Sequence, residues 1–98
     1  MSQFSYQALS PEAIAEALSG VPGWAVEGNK LVRTWTFESY PQGPDWAVRV
    51  GEFAEALNHH PDILIGYCRV TVSTTTHDAG NQISEMDFEL ARRLNAVG

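Results

Sequence analysis

Apolar residues recur along this chain in two rhythms, and the switches between them mark out its elements. Ile14 and Leu18, with alanines at 13, 15 and 17, keep the three-to-four spacing of a helix. Ser10 stands before them as a cap, Pro11 takes the first helical position, and Gly20 with Pro22 ends the run. A period of two follows. Trp24-Ala25-Val26 and Leu31 to Phe37 read as strands joined at Gly28-Asn29, a pair that tolerates the positive φ of a tight hairpin turn. In the second strand Leu31, Arg33, Trp35 and Phe37 share one face, and Val32, Thr34 and Thr36 share the other. A sheet covered on one side would bury most of the Leu31/Trp35/Phe37 face.

The helical rhythm returns after a loop at Pro41, Gly43 and Pro44, with Asp45 as the expected cap. Trp46, Val50, Phe53, Ala54 and Leu57 form its apolar stripe. This helix should stop near Asn58, because Pro61 disfavours a helical His60. Ile63 to Ile65 and Tyr67 to Thr75 read as strands, with a bend at Gly66. Cys68, Val70 and Val72 point one way; Arg69, Thr71 and Ser73 point the other. A polar loop from His77 to Gln82 leads to Ser84, the expected cap of a last helix whose buried face is Phe88, Leu90, Ala91, Leu94 and Val97.

The predicted order is therefore α-β-β-α-β-β-α. Short connections make a four-stranded antiparallel sheet with three helices packed on one face the simplest layering, an α+β fold in one domain over residues 1–98. The open sheet face, carrying Thr and Arg, would stay wet or meet a second subunit.

Composition narrows the function. A net charge of −6, with only six Lys and Arg, is unsuited to nucleic acid as the main partner. The acidic excess reads as solubility. Cys68 is the single cysteine, so no intrachain disulfide forms, and its apolar surroundings predict a buried, inert thiol. The opening MSQFSYQALS lacks the basic start and apolar run of a signal peptide, and no stretch reaches membrane-span length. A cytoplasmic protein with no membrane or nucleic-acid partner is expected.

The three histidines change the picture most. His59, His60 and His77 all fall within nineteen residues, and the rest of the sequence has none. Imidazole exchanges protons near neutral pH, so this clustering points to one site of proton transfer. Both places are junctions, His59-His60-Pro61 between helix and strand and His77 after a strand, where rigid elements position accessible side chains. Side chains of neighbours in an extended segment point apart, so one of the pair should enter the pocket while the other lines its rim. The plain alternative, loop or cap hydrogen bonds for each, gives no reason for all three together. Zinc held by the imidazoles with Asp62 or Asp78 is a rival. Adjacent histidines are poor co-ligands in an extended chain and no His-x-x-x-His spacing occurs, so no metal is expected. Glu55 lies four residues before His59 and would share its face on a continued helix, either orienting the imidazole or standing as a solvated charge. Asp87 falls in Ser84-Glu85-Met86-Asp87, a capping-box pattern. The tryptophans and Tyr67 are core candidates, although Tyr67, near the histidines, could stack on a flat ligand.

Glu55-Ala56-Leu57-Asn58-His59-His60-Pro61-Asp62, then Tyr67, Val70 and Val72, then Thr76-His77-Asp78-Ala79-Gly80, then Asp87 with Leu90-Ala91, resembles pterin-4a-carbinolamine dehydratase. The likeness extends upstream through Pro22-Gly23-Trp24, Lys30-Leu31 and Phe37, and so covers almost the whole chain. It implies the same α+β fold and a lyase that needs no cofactor and dehydrates 4a-hydroxytetrahydropterin to quinonoid dihydropterin, regenerating the cofactor of aromatic amino acid hydroxylases. It also implies a homodimer or homotetramer, and animal members bind a homeodomain transcription factor as well.

The positions matching that family's active site are His59, His60, His77 and Asp87, with Glu55 in support. Pro61, Tyr67, Thr76 and Asp78 are further substrate-binding or supporting candidates from the same motifs. In this reading His59 and His77 transfer protons, His60 holds the pterin ring, Glu55 orients His59, and Asp87 positions His77 or a water. The segment between His77 and Asp87 has one more residue than the commonest spacing, with Asn81-Gln82-Ile83 in place of a Gly-Leu pair. Because Ser84 and Asp87 keep the capping-box relation, the addition is assigned to the loop. The competing function on this fold is a dimerisation or assembly module without catalysis, which would be expected to lose those side chains.

Overall fold

In the computed structural model, which describes residues 4–98, the chain runs α1 (Pro11–Leu18), β1 (Ala25–Glu27), β2 (Lys30–Thr36), α2 (Gln42–Leu57), β3 (Asp62–Gly66), β4 (Arg69–Thr74), a single 3-10 turn (His77–Ala79) and α3 (Glu85–Val97). Residues 1–3 of the opening segment, read above as lacking signal-peptide character, lie outside the described residues. Three helices and one antiparallel sheet, in strand order β1-β2-β4-β3, make up the α+β fold.

Local chemistry explains most boundaries. The Ser10 side chain accepts from the Ala13 N–H and starts α1. Glu27 pairs with Lys30, leaving Gly28 and Asn29 as a two-residue turn with positive φ at Gly28. The inner face of the sheet carries Leu31, Trp35, Val70 and Val72, which meet Val50 and Leu57 of α2 and Phe88, Leu90, Ala91 and Leu94 of α3 in one core.

Five details differ from the sequence reading. Helix α2 begins at Gln42, not Asp45, so Gly43 and Pro44 lie in its first turn. First-turn amides have no partner within the helix, so a proline there removes no ladder bond. The predicted long strand from Tyr67 instead begins at Arg69, and Gly66 pairs with Arg69 across a Tyr67-Cys68 turn. Cys68 adopts φ 51, a backbone state that no composition rule assigns to cysteine, and as a turn residue it is only half-buried. Val97 is exposed where α3 ends, and Val32 is buried although it lies on the open face.

The tryptophans offer a stability test. Trp24 Nε1 donates to Asn95 Oδ1 at 2.8 Å, and Asn95 also accepts from Arg33 and donates to the Pro22 carbonyl. Trp46 Nε1 is buried without a partner among the described residues. Trp24→Phe is therefore expected to destabilise the fold by about 1–2 kcal/mol more than Trp46→Phe, because only the first loses a hydrogen bond. Urea unfolding of the two variants checks this; equal losses would contradict it.

The topology then places the site. β3 is the edge strand and β4 its central antiparallel neighbour, so the α2–β3 junction and the end of β4 come to the same corner of the sheet, beside the start of α3.

Candidate active site

The α2 C-terminus sets the directions of the histidine pair. Asn58 takes a left-handed conformation, φ 54, and the N–H of His59 reaches back to the Ala54 carbonyl at 3.0 Å. This is the reversal that ends a helix in a Schellman-type turn. The chain leaves the helix axis at that point, so His59 turns inward and His60 outward. His59 is 7% exposed and its Nε2 lies 2.6 Å from Asp87 Oδ1. His60 Nε2 lies 2.8 Å from Glu55 Oε1, at the surface.

Asp87 occupies the third position of α3, fully buried. Its Oδ2 accepts the Ser84 N–H at 2.9 Å, closing the capping box, and the Thr76 hydroxyl at 2.8 Å. Its Oδ1 accepts the Thr74 hydroxyl at 2.6 Å alongside His59. Burial alone would push this carboxyl up. The donors from His59, Thr74, Ser84 and Thr76 outweigh it and hold Asp87 below the ordinary carboxylate range. An ionised Asp87 offers only lone pairs, so the proton of the short contact sits on His59 Nε2 and Nδ1 is left free.

His77, on the 3-10 turn after β4, has Nδ1 2.7 Å from Asn81 Oδ1, which leaves Nε2 free by the same logic. Asn81 itself takes φ 60, and its carbonyl accepts from the Asn29 side chain. His59, His60 and His77 line one hollow of about 230 Å³, with Tyr6, Asn58, Thr75, Thr76 and Asp78. Three imidazoles thus face one space, and each has one nitrogen tied to an oxygen.

The model of the pterin 4 alpha carbinolamine dehydratase family matches residues 7–97. The chain belongs to that family.

Relatives of this pterin dehydratase family agree over most of their lengths. A protein of Thermomicrobium roseum, provisionally named a pterin-4-alpha-carbinolamine dehydratase, is 45% identical over 86 residues, 88% of this chain and 91% of that one. A Sulfurisphaera tokodaii protein with the same provisional name is 37% identical, over 91% of this chain and 95% of its own. Among solved structures, a transcriptional coactivator/pterin dehydratase from Brucella melitensis superposes with TM-score 0.83 at 32% identity, covering 92% of this chain and 97% of that one. A pterin dehydratase-like RuBisCO assembly factor of the alpha-carboxysome shares the fold, with TM-score 0.58 at 22% identity over 74% of this chain and 83% of its own.

Set against the family motif, two pairings expected from sequence change partners. Glu55 holds His60, not His59, because the i, i+4 relation needed a helix that Asn58 ends. Asp87 holds His59, not His77, whose tether is Asn81. Thr76 is buried and serves Asp87 and Ser84, while Asp78 is an exposed lining residue. Pro61 is half-buried at the start of the strand. Tyr67 stands apart. It is 76% exposed on the β3–β4 turn and packs against Tyr40, with the five residues of β3, on the order of 17 Å, between it and the histidine corner. Thr74, Asn81 and Tyr6 were not expected; the one signal near them was the Asn81-Gln82-Ile83 segment, one residue longer than the family spacing. Among the described residues, no group of three or more His, Cys, Asp or Glu is placed to hold a metal ion.

The Asp87 environment also fixes a pH dependence. A carboxylate held below its unfolded value of about 3.9 gives its full stabilisation above that pH and loses it as pH falls through the lower folded value. Urea stability is therefore expected to drop more steeply below about pH 4 in the natural protein than in Asp87→Asn. Parallel curves would show that Asp87 does not carry the acid response.

Proposed function

We propose that residues 1–98 form one pterin carbinolamine dehydratase-like domain that converts 4a-hydroxytetrahydropterin to quinonoid dihydropterin and water. The observation that carries this reading is the hollow walled by three imidazoles, each oriented through one nitrogen and open at the other. The reaction needs two proton movements at neighbouring atoms. The C4a–O bond breaks with its electron pair on oxygen, which takes a proton from an imidazolium and leaves as water. N5 gives its proton to a neutral imidazole, and the pair freed there forms the C4a=N5 bond. His59 Nδ1 and His77 Nε2 are the groups assigned to these transfers, and His60, tethered by Glu55, holds the ring. No redox change or external reductant enters, so the side chains suffice as acid and base.

The fixed tautomers support this assignment. Asp87 keeps the His59 proton on Nε2 and stabilises the imidazolium when Nδ1 is charged, as a carboxylate behind a catalytic histidine does elsewhere. The reading extends to tetrahydropterin recycling in the cytoplasm by a homo-oligomer, with no nucleic-acid partner. No helix among the described residues is long and apolar enough to cross a membrane.

The test is direct. Purified protein mixed with freshly generated 4a-hydroxytetrahydropterin should speed formation of the quinonoid product well above the spontaneous rate. Absence of any acceleration, with a partner protein retained from lysate instead, would replace catalysis by the assembly role.

A further inference from the structure

Alternation along β2 puts Arg33 on the covered face of the sheet, between Leu31 and Trp35, where an apolar side chain would be expected. Its guanidinium turns away from the core into a hollow of about 570 Å³ that also holds Arg92, with Gly20, Pro22, Gly23 and Asn95 in the wall. We propose that this hollow is a binding site for a phosphate group, separate from the histidine corner. Asn95 lies about 12 Å further along α3 than Asp87, so the two sites occupy opposite ends of that helix.

The Arg33 head is held on three sides. Its Cζ lies 4.5 Å from the centre of the Trp35 ring. Gly23, at φ 90, lets it approach the backbone, since a Cβ there would stand 2.9 Å from Nε. Nη1 donates to Asn95 Oδ1. Asn95 is itself fixed, because Oδ1 also accepts from Trp24 Nε1 and its amide donates to the Pro22 carbonyl. A guanidinium carries five N–H donors, and Asn95 takes one of them.

What this head lacks is an anion. Among the described residues no carboxylate lies within 4.0 Å of Arg33, whereas Lys30, Arg49, Arg92 and Arg93 each have one. Desolvation pulls the Arg33 pKa below its ordinary value, yet a guanidinium stays charged at neutral pH. Arg92 brings a second head to the same space. Glu89 holds it through Nε at 3.1 Å, which leaves its Nη groups for a ligand, and Glu89 is shared with Arg93. Heads on two different elements, β2 and α3, can reach separate oxygens of one group. A carboxylate is satisfied by a single fork, whereas a phosphate monoester keeps three terminal oxygens, so phosphate is the better match. The carbonyl end of α3 and Glu89 oppose an anion and keep the affinity modest.

Inorganic phosphate titrated into isotope-labelled protein, followed by amide chemical shifts against potassium chloride of matched ionic strength, tests this. Saturable shifts are expected at Gly23, Arg33, Arg92 and Asn95, with a Kd on the order of 1 mM. Acetate should bind at least about threefold more weakly. Arg33→Met, which keeps the stem against Trp35, should weaken phosphate binding by at least about tenfold, and Arg92→Gln, on the helix surface, by about two- to fivefold. Arg92→Gln keeps the test decisive if Arg33→Met fails to fold. Shifts no larger than those with chloride, equal binding of acetate, or unchanged binding in either folded variant would overturn the site. None of these outcomes depends on dehydratase activity.

Discussion

Asp87→Ala is expected to destabilise the protein by about 3–5 kcal/mol, the range seen when one member of a buried, hydrogen-bonded charged pair is removed. Four donors converge on this carboxylate, from His59, Thr74, Thr76 and the Ser84 N–H. Alanine leaves all of them without an acceptor in a place water does not reach. The largest contributors are losses of satisfied donors, not of packing, because an aspartate side chain fills little volume. For a domain of this length the melting temperature should fall on the order of 15–30 °C, followed by circular dichroism. Asp87→Asn, which keeps the shape and one acceptor, should fall in between. A loss below about 1 kcal/mol for the alanine variant would mean that the network is not what joins α3 to the histidine corner.

His59→Ala and His77→Ala should each lower the dehydration rate about 10²–10⁴-fold, the span typical of a positioned general acid or base. The two differ in their structural consequences. His59 is buried against α3, so its removal leaves a gap but keeps three donors on Asp87. His77 is exposed, and its loss should leave the melting temperature nearly unchanged. His60→Ala should act chiefly on KM, because its assigned task is to hold the ring. Single-turnover rates separate these effects from product release. Undiminished turnover in either of the first two variants would remove that histidine from the chemistry.

Asp87 also shows how far the sequence can be read. Its capping-box spacing with Ser84 and its place in the family motif gave two separate expectations, and the structure meets the first on Oδ2 while Oδ1 faces His59. A carboxylate has enough lone pairs to do both, which no spacing rule reveals. The helices and strands were legible because their apolar residues repeat with clear periods, as in Val50, Ala54 and Leu57 or Val70 and Val72. Pairings across the chain were not. Glu55 was matched to His59 by helical arithmetic, and a single left-handed residue, Asn58, moved it to His60. Tyr67 looked close in sequence to the histidines, but five extended residues carry it to the far end of β3. Thr74 read as an ordinary strand residue, since a hydroxyl on an inner face carries no signal until the acceptor it serves is known, and Thr76 was marked only by its place in the family motif. The longer loop is the exception: its one additional residue was visible in the Asn81-Gln82-Ile83 segment, and Asn81 of that segment holds His77.

Catalysis by these histidines depends on where a pterin sits. A crystal structure with an unreactive dihydropterin should place C4a and N5 between His59 Nδ1 and His77 Nε2, with the reacting atoms about 3–3.5 Å from those nitrogens. A pterin bound elsewhere, or one that leaves either nitrogen beyond reach even through a single water, would contradict it.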